Sequence, residues 1–181
     1  MSVNIWLNNG CGIIYCWLYS YILYITYQIY LIMEILTAYK GLIFEIIGSA
    51  MAVHNELGGK LAEPVYQESL FLELLDRGIA CEREAEIRCY YKHHELRKRY
   101  KMDLVVDDII VEAKSTTKLL PEHRAQLCNY LRLTHKPIGL LINFGEDRLV
   151  GERWMFDIDS NVCYIVDKNL NPIPQLSQED Y

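Results

Sequence analysis

The chain has 181 residues, enough for one domain with a substantial core and too few for two sizeable ones. Its formal charge of −6 and pI near 5.4 exclude a bulk electrostatic grip on nucleic acid, although a local groove can still be basic. Six cysteines (Cys11, Cys16, Cys81, Cys89, Cys128, Cys163) lack CxxC or zinc-finger spacing, so they read as small hydrophobes in a reducing cytoplasm.

Residues 1–32 carry no charged side chain, and Cys11 to Ile32 is almost continuously apolar and rich in tyrosine. About 20 such residues suit a bilayer span, yet tyrosine prefers the interfaces to the hydrocarbon. The sequence favours an extension preceding a domain that starts at Met33. The alternatives are a membrane anchor over residues 11–32 or an integral core helix.

From about Leu42 to Leu57 the residues Ile43, Ile46, Ile47, Ala50, Met51, Val53 and Leu57 follow helical spacing and predict a buried helix. His54 shares a face with them and is assigned no role. Gly58-Gly59 ends the helix, and a second starts near Glu63-Pro64 and runs to about Gly78. Residues 80–91 and 95–106 read as strands, with Ile109–Lys114 as the next one. Pro121 opens a helix to about Leu133; Ile138–Phe144 is apolar enough to be a strand buried on both faces. A short strand near Arg153–Ile158 follows, and residues 159–181 are expected to form a polar tail. The order predicts a mixed sheet flanked by helices.

The most informative stretch is Asp103–Lys114, two β-branched runs joined by Asp107-Asp108. With a two-residue turn, opposed residues have numbers summing to 215, so Asp103 faces Glu112 with Cβ atoms about 4.5–5.5 Å apart. Lys114 projects from the same face as Glu112. Two opposed carboxylates repel each other, and a divalent cation between them removes the objection. Metal-assisted phosphodiester hydrolysis uses few hard oxygen ligands and leaves positions open for phosphate and water. Asp103, Glu112 and the backbone carbonyl of Ala113 supply the oxygens. Lys114 is placed to orient the attacking water or neutralise the developing charge. The bland alternative is a charged surface hairpin, which such apolar strands disfavour.

On the following helix His123, Gln126 and Tyr130 share one face. Gln126 and Tyr130 form a Q-x-x-x-Y pattern suited to holding a catalytic carboxylate or a phosphate, whereas His123 reads equally well as a helix-start surface residue. Glu63 and Tyr66 stand one turn apart. Glu63 is either a further acid in the cleft or a carboxylate that favours a helix N-terminus, and spacing leaves both open.

Together GGKLAEPVY (58–66), YKMDLVVDDIIVEAKS (100–115), HRAQLCNYL (123–131) and IGLLINFG (138–145) resemble the GxxExxY family of small prokaryotic proteins, grouped with PD-(D/E)XK nuclease-like folds. The resemblance covers about Met33 to Trp154. Carried over, Glu63 and Tyr66 match the naming glutamate and tyrosine. Asp103, Glu112 and Lys114 match the nuclease triad, and Gln126 with Tyr130 matches the Q-x-x-x-Y element of the RecB-like branch. Two positions depart from the pattern: Lys60 stands at the naming glycine, and Met102 precedes Asp103 where proline is usual.

The resemblance implies an α/β (α+β) restriction-endonuclease-like core over residues 33–158, with about four strands flanked by helices. It also implies a Mg²⁺ (or Mn²⁺) site and a deoxyribonuclease activity. DNA is the expected partner, gripped by local cations among Lys92, Arg97, Lys98, Arg99, Lys101, Lys118 and Arg124. A homodimer is a further expectation, and a membrane enters only if residues 11–32 form a span. The alternative function is a non-catalytic nucleic-acid- or protein-binding module on the same scaffold.

Overall fold

The computed structural model describes residues 11–177. Two compact units divide between Gly41 and Leu42. The first helix, α1 (Cys11–Leu57), is far longer than the stretch from Leu42 that spacing predicts. No proline interrupts residues 11–57, and the three glycines Gly12, Gly41 and Gly48 cost only about 1 kcal/mol each, so nothing stops the helix earlier. In the first unit its side chains from Leu18 to Ile35 are mostly exposed. Among the described residues no helix is long and apolar enough to cross a membrane, so the span considered for residues 11–32 is not found.

In the second unit, residues 42–57 of α1 bury Ile43, Ile46, Ala50 and Val53, whereas Met51 and Leu57 are exposed. Then come α2 (Glu63–Asp76), β1 (Glu82–Tyr91), β2 (His94–Val106), β3 (Ile109–Lys114), α3 (Pro121–Thr134) and β4 (Ile138–Asn143). Their order is the one read from the sequence. Beyond them lie β5 (Val150–Asp157), β6 (Val162–Val166) and β7 (Pro172–Ser177). All seven strands join one sheet in sequence order, rather than the expected four or so. The expected polar tail is therefore largely strand up to Ser177. In β6, Cys163 and Ile165 enter the core, an alternation too short to stand out from its polar flanks.

The sheet is antiparallel except between β3 and β4, which run parallel because α3 forms the crossover. Leu104↔Val111, Val105↔Ile110 and Val106↔Ile109 fix the hairpin register predicted by the turn. Asp107 takes a φ of 50°, a conformation that aspartate tolerates. Every residue of β3 and of β4 is buried, as expected for central strands covered on both faces. One buried cluster lies under α3, where Leu127, Cys128, Tyr130 and Leu131 meet Ile110, Leu141, Trp154 and Phe156. Ile109, Val111 and Ala113 alternate with Ile110 and belong to the opposite face.

The end of β4 is held by Asn143, whose Oδ1 accepts the N–H groups of Thr116 (3.0 Å) and Gly145 (3.2 Å). Its Nδ2 donates to the Thr116 carbonyl at 2.8 Å. This brings Gly145 so close that a Cβ there would lie 2.4 Å from the backbone N and O of Thr116. Gly145→Ala is expected to destabilise the fold by about 1–3 kcal/mol in denaturant titrations. Gly151→Ala, where a Cβ would meet nothing within 4 Å, is expected to leave the midpoint nearly unchanged.

Candidate active site

The carboxylates of Asp103 and Glu112 are locked together through each other's strand. The Asp103 N–H donates to Glu112 Oε1 at 3.2 Å, and the Ala113 N–H donates to Asp103 Oδ2 at 2.9 Å. A local irregularity in β2 makes this possible. Met102 and Val105 both enter the cluster under α3, although strict alternation would send them to opposite faces. Across β1, Glu84 lies opposite Asp103 in the register and takes a φ of 54°. Asp103 thus sits where β2 twists out of regular pairing, and its N–H bonds a side chain.

Glu112 is fully buried and Lys114 is 7% exposed. Lys114 Nζ lies 3.4 Å from Glu112 Oε2 and 3.5 Å from Glu63 Oε1, so the ammonium bridges two carboxylates. Gln126 Nε2 donates to Glu112 Oε2 (3.1 Å) and to the Tyr130 hydroxyl (3.0 Å). The Tyr130 ring is itself buried, so its hydroxyl reaches the acid through Gln126. The structure therefore brings Asp103, Glu112, Lys114, Glu63, Gln126 and Tyr130 to one place. Glu63 meets Lys114 from the first turn of α2, so its place is compatible with both readings left open for it.

Burial and the neighbouring Asp103 charge push the Glu112 carboxyl up to about 8, despite the opposing pull of Lys114. Burial also raises Asp103, against the stabilising Ala113 N–H. Desolvation opposes the charge on Lys114, but Glu112, Asp103 and Glu63 outweigh it and hold the ammonium above its ordinary range.

Two further residues complete the site. Gln67, one turn after Glu63, donates to Glu63 Oε1 at 3.3 Å and hydrogen-bonds Asp103. Its i, i+4 spacing from Glu63 is the only sequence signal for it. Ser115 Oγ donates to the Leu61 carbonyl at 2.6 Å and ties β3 to the loop before α2.

Tyr66 has other partners. Its hydroxyl donates to the Gly58 carbonyl (2.7 Å) and accepts the Leu61 N–H (3.0 Å), while its ring stacks on Phe144 at 4.6 Å. Tyr66 is thus a latch on the loop that aims Glu63. Within that loop Lys60 has a φ of 71°, the left-handed region where glycine is at ease. His123 accepts the Leu120 N–H at 3.2 Å and serves to start α3. His54 meets the Glu146 carbonyl at 3.0 Å. Arg124, expected among the substrate-facing cations, is bound to Glu152 through Nε at 2.9 and 3.1 Å, and Glu152 also accepts from Trp154.

Residues 40–154 match the PD-(D/E)XK nuclease superfamily. The chain belongs to that superfamily. No curated protein gives a significant match. A solved structure described as "Crystal structure of SSO0001" is similar over 50% of this chain at 20% identity, with a TM-score of 0.42. The match spans about half of that protein, 48% of its length. In this PD-(D/E)XK chain the span matched to the superfamily contains every residue of the cluster, from Glu63 to Tyr130.

At Lys60, relieving the left-handed strain by Lys60→Gly is expected to stabilise the protein by about 0.5–1 kcal/mol, after the greater freedom of glycine in the unfolded chain is subtracted. Equal denaturation midpoints for both proteins would remove the strain argument. A second expectation concerns pH. Between about 4.5 and about 8 the folded protein keeps a proton on Glu112 that the unfolded chain has released. Stability in chelator is therefore expected to fall as pH rises through this window, by at most about 1.4 kcal/mol per pH unit. Glu112→Gln is expected to lose that component, so parallel stability–pH curves for the two proteins would refute it.

Proposed function

We propose that the chain is a metal-dependent nuclease that hydrolyses phosphodiester bonds in DNA by direct attack of water, without a covalent intermediate. The observation that carries this reading is the interlocked, buried carboxylate pair with a lysine against it. A pair in which burial, and then the Asp103 charge, keep Glu112 protonated near neutrality is suited to a divalent cation, which displaces the proton.

Asp103 and Glu112 fit Mg²⁺ or Mn²⁺ as hard oxygen donors. Among the described residues no group of three or more His, Cys, Asp or Glu side chains forms a ready metal cage, and magnesium sites use one or two carboxylates with water and phosphate completing the shell. The Ala113 carbonyl supports a third oxygen. In an extended strand a residue's N–H and C=O point to the same side, and the Ala113 N–H already points at Asp103. When bound, the cation supplies Lewis-acid stabilisation and a more acidic water.

The remaining work falls to the side chains. Lys114 holds the attacking water and counters the charge that grows on the phosphate. Gln126, backed by Tyr130, fixes Glu112 Oε2, and Glu63 with Gln67 closes the acidic side of the cleft and holds outer water. Within the superfamily, the GxxExxY assignment is supported by the division of labour among the motif residues. Tyr66 shapes the loop, Glu63 faces Lys114, and the glycine position has the backbone that glycine favours. Cys89, Cys128 and Cys163, buried as small core residues, suit a reducing, cytoplasmic setting.

The test is incubation of the full chain with labelled DNA in Mg²⁺, Mn²⁺ or chelator. Cleavage is expected only with metal and is expected to drop by about 10²–10⁴ in Asp103→Asn, Glu112→Gln and Lys114→Met. Gln126→Ala is expected to lose less, since it acts through Glu112. Cleavage that survives in Glu112→Gln and Lys114→Met would reject the site. No cleavage together with no calorimetric metal binding would favour the non-catalytic scaffold.

A further inference from the structure

We propose that the β1–β2 ribbon, residues 88–101, is an arm that lies in a groove of duplex nucleic acid whose scissile phosphate occupies the site. This rests on the nuclease reading above and names the form of substrate it takes.

Charge is the first observation. Arg88, Lys92, Arg97, Lys98, Arg99 and Lys101 fall within these 14 residues beside a single acid, Glu95, in a chain whose net charge is −6. Arg88 stands directly opposite Arg99 in the ladder. Like charges so placed destabilise a ribbon, and a fold selected for stability alone gains nothing from them. Arg99 has Glu95 at 2.7 Å and Glu86 at 3.8 Å. By contrast, Arg88, Lys92, Arg97 and Lys98 form no ion pair with a described residue. A polyanion supplies the missing counter-charge.

Shape is the second. Every residue from Tyr90 to Lys101 is exposed, so both faces of the ribbon meet solvent. A projection bare on both faces inserts into a groove rather than forming one, and the major groove, about 12 Å wide, admits a two-stranded ribbon. Single-strand binders instead provide a concave track with stacking platforms. The Lys92 and Lys98 ammonium groups lie 5.5 and 5.2 Å from the Tyr91 and Tyr100 ring centroids, cation–π contacts that keep both charges on the ribbon.

Continuity is the third. The strand that carries Asp103 is the strand that carries Arg97, Lys98 and Arg99. At about 3.4 Å per residue, His94 lies roughly 30 Å from Asp103 along one element, which corresponds to about nine base pairs.

The experiment measures binding apart from cleavage. Full-length Glu112→Gln in chelator is titrated into a labelled duplex of about 20 base pairs and into a single strand of the same length, followed by anisotropy at several salt concentrations. The duplex is expected to bind at least about tenfold more tightly. Adding Arg97→Glu/Lys98→Glu is expected to weaken it a further tenfold or more and to reduce the salt slope by about 0.9 for each phosphate no longer neutralised. The same charge change at Arg148→Glu/Lys168→Glu, away from the ribbon, is expected to weaken binding less than about threefold. Equal or tighter binding of the single strand, or an unaltered affinity in Arg97→Glu/Lys98→Glu, would overturn the proposal even if the protein cuts DNA. Competition by poly-glutamate at concentrations equal to duplex would overturn it in favour of an acidic protein partner. Conversely, failure to cleave leaves the binding result readable. Circular dichroism of each variant separates weakened binding from impaired folding.

Discussion

The arrangement depends on two carboxylates that the fold holds in contact against their own repulsion. Asp103 and Glu112 each accept an N–H from the other's strand or its neighbour, so neither can swing away without leaving a backbone donor unpaired. Lys114 answers part of the charge and is itself pinned between Glu112 and Glu63. The remaining imbalance shows in the raised Glu112 carboxyl. A structure built only to be stable would place apolar residues here, as it does at Ile110 and Leu141 in the same layer. That imbalance is what the proposed hard cation would relieve, since two carboxylates are oxygen donors of the kind it takes.

Much of the surrounding sequence serves to keep that geometry rigid. Glu63 reaches Lys114 because α2 begins where it does. That start is set by Tyr66 gripping Gly58 and Leu61 and by Ser115 gripping Leu61 from the end of β3. Asn143 and Gly145 fix the neighbouring loop against Thr116. The motif glycine, glutamate and tyrosine thus have three different jobs: a left-handed backbone position, a charge in the cleft, and a hydroxyl that closes the loop. Only the middle one touches the site, which explains how Lys60 can replace the first at a cost in strain alone.

The legible parts of this protein are those where a short-range rule fixes a long-range result. A two-residue turn forces the 215 sum, and with it Asp103 beside Glu112; period two then places Lys114, and period 3.6 places Gln126 with Tyr130. Central strands β3 and β4 are readable because they are apolar throughout. The parts that escape depend on partners distant in sequence. Strands β6 and β7 are short and polar-flanked, and they form because β5 offers an edge to β6 and β6 in turn offers one to β7. Gln67 matters only because α2 lies over Asp103. Arg124 has the sequence context of a substrate-facing cation, but Glu152, far along the chain, takes it up. The twist at Asp103 leaves no mark in composition, since any residue can leave a regular ladder when the opposite strand yields, as Glu84 does.

Charge segregation links the acidic composition to the proposed chemistry. Without the ribbon's basic residues the rest of the chain is more acidic than the whole. At physiological ionic strength fields decay over about 8 Å, so an arm some 30 Å long acts on nucleic acid independently of the carboxylates at its base. The proposed affinity then resides in the ribbon and the proposed reactivity in the Asp103–Glu112 pair, joined by β2. On the proposed reading, such a division gives an acidic protein one element for nucleic acid, and the fit of a two-stranded ribbon to a duplex groove, rather than charge alone, separates duplex from other polyanions.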